Sequence, residues 1–172
     1  MRKAGRSIAT FLNWALLALG ILVGIAALFM AAMAAGFSFV PAIRAEILRQ
    51  AAEAGETMPP ITGTWWGLPM TALIVALACL LIFRLRRVIV TVERGDPFHP
   101  DNPRNLRVIA LLLALIEISR TGVRLLMPDS PVSVAEDVDS WFVAWLSVLI
   151  VFILAEVFRE GSRLRDEADF TV

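Results

Sequence analysis

The sequence predicts an all-α fold, a four-helix transmembrane bundle with both termini cytoplasmic and a short amphipathic interfacial helix between spans 1 and 2. Three observations carry that expectation. The 172 residues are 58% hydrophobic, with a mean hydropathy of +0.74, where a soluble domain is roughly half apolar. The apolar residues gather into four runs, about 8–35, 66–83, 106–126 and 140–158, each near the roughly 20 residues that cross a hydrocarbon core. The cations favour alternate connections, as a polytopic chain requires. The chain therefore reads as a single integral membrane domain over residues 1–172.

The first run follows Arg2, Lys3 and Arg6 and stays free of charge from Ile8 to Ala35. A small-x-small cleavage pattern, Ala32-Met33-Ala34, gives it signal-peptide flavour, but a signal's apolar region is only about 7 to 15 residues long. A retained helix is the expectation. In the next segment Pro41 suits a first helical turn and Gly55 the end of a helix. Ile43, Ile47, Leu48 and Ala51 share one face, with Arg44, Glu46, Arg49, Glu53 and Glu56 elsewhere. That pattern fits a helix lying at the membrane interface, or a solvated connector that stays helical. Pro59, Pro60 and Gly63 end it, and Trp65-Trp66 marks re-entry, because indole prefers the headgroup level.

The second run stops at Arg84, Arg86 and Arg87, but nothing breaks its helix before Gly95, which can take the left-handed conformation that closes one. Pro97, Pro100 and Pro103 then make GDPFHPDNP an irregular turn, and Asn102 or Asn105 is expected to cap the helix that follows. Residues 84–105 thus form a polar hinge. The third run is set apart by Glu117, Arg120 and Arg124, spaced by three and four on nearly one face. Glu117 lies about 16 Å into the span at 1.5 Å per residue, close to mid-bilayer. An acidic loop with Asp129, Glu136, Asp137 and Asp139 follows. Trp141 and Trp145 anchor the fourth run, which leads into a charged tail over residues 159–172.

Orientation follows from the cations. Arg2, Lys3, Arg6, Arg84, Arg86, Arg87, Arg94, Arg104, Arg107, Arg159, Arg163 and Arg165 sit at the two ends and the hinge, while the other two loops hold Arg44 and Arg49. Both termini and the hinge are therefore expected in the cytoplasm.

Few residues carry chemistry. Sixteen cations balance sixteen acids, so net charge argues for no direct nucleic-acid binding. Cys79 has no internal partner and reads as a small hydrophobe. With His99 it falls short of a metal cage, and no Gly-rich phosphate loop is present. No catalytic, cofactor or metal residues are expected, and no enzyme. Glu117 and Arg120 are the sharpest intramembrane signal, since an ionisable group at a span's centre costs roughly 2.5 to 3.5 kcal/mol on insertion scales. They read either as a neutralised pair that orients the third helix, with Arg124 snorkelling outward, or as part of an ion path. Glu156 can pair with Arg159 or with a hinge arginine. Phe98, an apolar residue in a polar turn, must tuck under the bundle or be offered to a partner. Gly161 is a weak point in the tail helix, and the acidic end with Phe170 reads either as a solvated tail or as a docking strip with an aromatic anchor.

The hinge GDPFHPDNPRNLR, together with the closing AEVFREGSRLRDEADFTV, resembles domain-of-unknown-function family 2975, small bacterial four-helix membrane proteins. The positions that match are Gly95, Pro97, Phe98, Asn102 and Leu106 in the hinge, and Phe158, Gly161, Leu164, Asp169 and Val172 in the tail. His99-Pro100 and Phe170 depart from the simplest pattern. The resemblance implies the bacterial inner membrane and a partner, since such proteins are typically encoded beside a helix-turn-helix regulator of the Xre type. It implies no catalytic residues. The resulting expectation is a protein that tethers or signals to that regulator through Gly95, Phe98, Asn102, Phe158, Gly161, Leu164, Asp169, Phe170 and Val172. Glu117, Arg120 and Arg124 form its intramembrane polar contact. The alternatives are a small permease or ion-handling protein, and an accessory subunit of a larger membrane complex.

Overall fold

A computed structural model of the chain describes residues 2–53, 67–126 and 138–169. Gly55, Glu56, Pro59, Pro60, Gly63, Trp65, Trp66, Asp129, Glu136, Asp137, Phe170 and Val172 lie outside the described residues. So do the side chains of Ile47, Leu48, Ala51, Asp139 and Asp169. The described residues are helical almost throughout, with no strand among them, in the order α1 (Arg2–Phe39), α2 (Pro41–Glu53), α3 (Gly67–Glu93), α4 (Asp101–Leu126) and α5 (Val138–Asp169).

Helix α1 is a 38-residue rod, longer at both ends than its apolar run. Val40 breaks it. The Val40 carbonyl then accepts from the backbone N–H of Ile43 and Arg44, so Pro41, which has no N–H to offer, opens α2 at no cost in hydrogen bonds. Arg44 lies over the Phe37 ring, 5.4 Å from its centroid, and fixes the turn between the two helices. On α2 the Glu46 carboxyl accepts from Arg49 and Gln50, and these two donors, Arg49 first, hold it below the usual carboxylate value.

Among the described residues, three helical segments are long and apolar enough to cross a membrane, Thr10–Phe39, Gly67–Glu93 and Trp141–Glu167. Helix α4 is not one of them. Its 26 residues reach about 39 Å, but Arg107, Glu117, Arg120 and Arg124 interrupt its apolar surface. It also starts at Asp101, five residues before the run that announced it.

The long helices stand side by side in an antiparallel row. Helix α3 packs on α1, α4 on α3 and α5 on α4, and among the described residues α1 does not reach α5. Association in lipid draws on close packing and polar contacts, with no water-driven collapse to close a ring. The α1–α3 seam shows this. Gly20 faces Ile82 and Phe83, Gly24 faces Cys79, and the Cys79 thiol approaches the Gly20 carbonyl at 3.7 Å. A buried apolar core lies elsewhere, where Val88, Leu106, Ile109 and Ala155 meet between α3, α4 and α5. Alternating helix directions bring Thr10 and Asn13 of α1 beside Glu93, and Asp96 beside Arg165 of α5. The start of α1, the hinge and the far part of α5 therefore share one end of the row.

Candidate functional site

The hinge is built on a closed helix end. Gly95 has a φ of +83°; its N–H bonds to the Val92 carbonyl and that of Asp96 to the Thr91 carbonyl, the paired closure a left-handed glycine permits. Neither asparagine caps α4. His99 does, its Nδ1 accepting from the Asp101 N–H at 3.2 Å. Asn102 is instead fully buried and ties the turn backward: its Nδ2 donates to Thr91 Oγ1 at 2.7 Å and to the Pro97 carbonyl at 2.8 Å. The Thr91 hydroxyl in turn donates to the Val88 carbonyl. Both amide hydrogens of Asn102 thus have acceptors, which lowers the cost of burying it.

The hinge is clasped to α5. The Phe98 ring lies 5.6 Å from that of Phe158 and covers Gly161, where an added Cβ would fall 2.6 Å from Phe98 Cε1. Gly161 is thus no break. Helix α5 runs through it to Asp169, and the missing side chain admits the ring. Ser162 donates to the Phe158 carbonyl within the same turn. Asp96 pairs with Arg165, and Glu156 with both Arg107, at 3.1 Å, and Arg159. Phe98 nonetheless stays 40% exposed, so it is tucked on one side and open on the other. Beside it Pro100, Pro103, Arg104, Arg107, Arg159 and Ser162 border a shallow groove of about 410 Å³ between hinge and α5.

Across α4 lies a larger groove of about 840 Å³, bordered by Arg84, Arg86, Arg87, Arg94 and Arg104. At the α1 side of the same end, Glu93 accepts from Thr10 and Asn13, and Asn13 accepts from Arg86 Nε at 2.9 Å. Within α4, Glu117 is 3% exposed and its Oε1 lies 3.5 Å from Arg124 Nη2. Arg124 therefore turns inward along its own helix instead of snorkelling outward. Two turns separate the pair, a span the long guanidinium stem covers while leaving Glu117 sheltered. Arg120 is half-buried. Among the described residues no group of His, Cys, Asp and Glu is placed to hold a metal ion.

A family profile described as "Protein of unknown function (DUF2975)" matches residues 49–172, the greater part of the chain, from α2 through the tail. The chain belongs to this family. No curated protein and no solved structure matches it. In this DUF2975 protein the hinge residues Gly95, Phe98 and Asn102 and the tail residues Phe158 and Gly161 meet in one small region. Leu164, 55% exposed, lies on α5 beyond the clasp. Sequence reasoning missed Thr91, the Asp96–Arg165 pair and the arginine groove. The groove left a signal: Arg84, Arg87 and Thr91, at spacings of three and four, fall on one face of α3, and Arg94 follows three residues on in its closing turn.

Proposed function

We propose that this DUF2975 protein is a non-enzymatic protein of the bacterial inner membrane, crossing it four times with both termini and the hinge cytoplasmic, and that it holds a cytosolic partner at the membrane. The partner that the family resemblance implies is a helix-turn-helix regulator of the Xre type. One observation carries the reading: Phe98, seated on Phe158 and Gly161, joins hinge and α5 into one continuous surface that keeps an open aromatic flank beside a groove bordered by Arg104, Arg107 and Arg159. An aromatic anchor ringed by charge is the kind of surface on which binding energy concentrates. The four-span reading is supported by the position of α4 between α3 and α5, which gives its charged residues protein neighbours in place of lipid. The inward pairing of Glu117 with Arg124 favours a role in setting α4 over one in conducting ions.

The test is co-sedimentation of an Xre-type helix-turn-helix regulator from the same organism with membranes carrying the full-length chain. Wild-type membranes should retain it, and Phe98→Ala or deletion of Phe170 to Val172 should release it to the soluble fraction. Retention of no regulator by the wild type would end the proposal.

A further inference from the structure

We infer that the groove between the end of α3 and the start of α4 binds a phosphate-bearing anion, with an anionic lipid headgroup as the source its position favours. Five arginines, Arg84, Arg86, Arg87, Arg94 and Arg104, border it together with His99 and a single acid, Asp101. What separates these arginines from the paired ones on α4 and α5 is that, among the described residues, no carboxylate forms an ion pair with them. Arg107 and Arg159 share Glu156, Arg163 holds Glu160 and Glu167, and Arg165 holds Asp96. By contrast Arg84 donates to the Asn105 side-chain oxygen at 3.5 Å and Arg86 to that of Asn13 at 2.9 Å, both neutral acceptors. Among the described residues Arg87, Arg94 and Arg104 have no ion pair. Like charges gathered around a concave surface create a field that concentrates counter-ions, and a guanidinium matches phosphate through paired N–H donors.

Depth selects the source. Arg84 follows the apolar stretch that begins at Gly67, about 25 Å along the helix at 1.5 Å per residue, which puts it at headgroup level when α3 spans the bilayer. Arg94 stands about 15 Å further out. Phe83 and Val90 give the groove its apolar members, with Phe83 at the inner end where acyl chains would lie. Basic pockets at this level are suited to multiply charged headgroups.

The test uses the full-length protein in phosphatidylcholine nanodiscs, with and without cardiolipin, and in a third arm with soluble pyrophosphate. Lipid carried through detergent release is counted by native mass spectrometry, and pyrophosphate binding is read as a rise in Tm. Cardiolipin should be retained by the wild type. Arg94→Gln and Arg104→Gln, both at exposed positions, should each weaken retention roughly fivefold, while Arg163→Gln, a paired arginine, should not. If instead pyrophosphate raises Tm through the same two arginines and no lipid is retained, the anion comes from solution and the site stands. Retention or stabilisation equal in wild type and both groove variants, or none in any arm, overturns the inference.

Discussion

Helices α1 and α4 stand in the same row with opposite chemistry. Helix α1 is uncharged from Ile8 to Phe39 and leaves Phe11, Leu22, Leu28 and Phe29 open; α4 carries four charged residues beyond its first turns and buries nine positions, among them Asn102, Asn105, Glu117 and Ser119. Their places in the row explain the difference. Helix α1 stands at an edge with a single long neighbour, whereas α4 has a helix on either side. Hydropathy therefore detects the helix that faces lipid and passes over the one that faces protein. An edge helix can be apolar all round, while a helix between two others can carry polar groups wherever its neighbours shelter them.

The sharpest way to break this comparison is to exchange severity between the two helices. Glu117→Ala should lower stability by about 3 kcal/mol, because it removes the buried carboxylate that the sheltered Arg124 faces. Phe29→Ala, at a position 66% exposed, should stay within about 0.5 kcal/mol. Thermal unfolding in one detergent measures both, and similar losses would mean that α4 is no more sheltered than α1. A smaller effect sharpens how α1 is held. A Cβ at Gly20 would lie 3.3 Å from Ile82 Cγ2, so Gly20→Leu should overpack the α1–α3 seam and cost about 1 kcal/mol. Gly122→Leu in α4, where nothing lies within 4 Å of the added Cβ, serves as its comparison and should be near neutral.

The apolar runs, the helix boundary at Pro41 and the closure at Gly95 were legible because each rests on local chemistry: hydropathy, a missing N–H, a left-handed φ. The assembly of the row was not. Whether α1 closes onto α5 depends on seams of small residues and has no periodic signature. Arg124 pointed outward by the usual habit of long cations near a span's end, but its direction depends on Glu117 lying within reach along a sheltered face. Asn102 carried the composition of a helix cap; only the return of Thr91 and Pro97 around it makes it a buried tie. Gly161 shows the same gap, since a glycine inside a helix reads as weakness until the ring that fills its place is known.

The central claim is that α4 crosses the bilayer between α3 and α5, so that the hinge and both chain ends lie on the cytoplasmic side. Paired reporter fusions after Pro60, Pro100, Pro131 and Val172, one active only in the cytoplasm and one only outside it, measure this directly. The account predicts cytoplasmic activity at Pro100 and Val172 and external activity at Pro60 and Pro131. Pro131 on the same side as Pro100, or Val172 opposite Pro100, would contradict it.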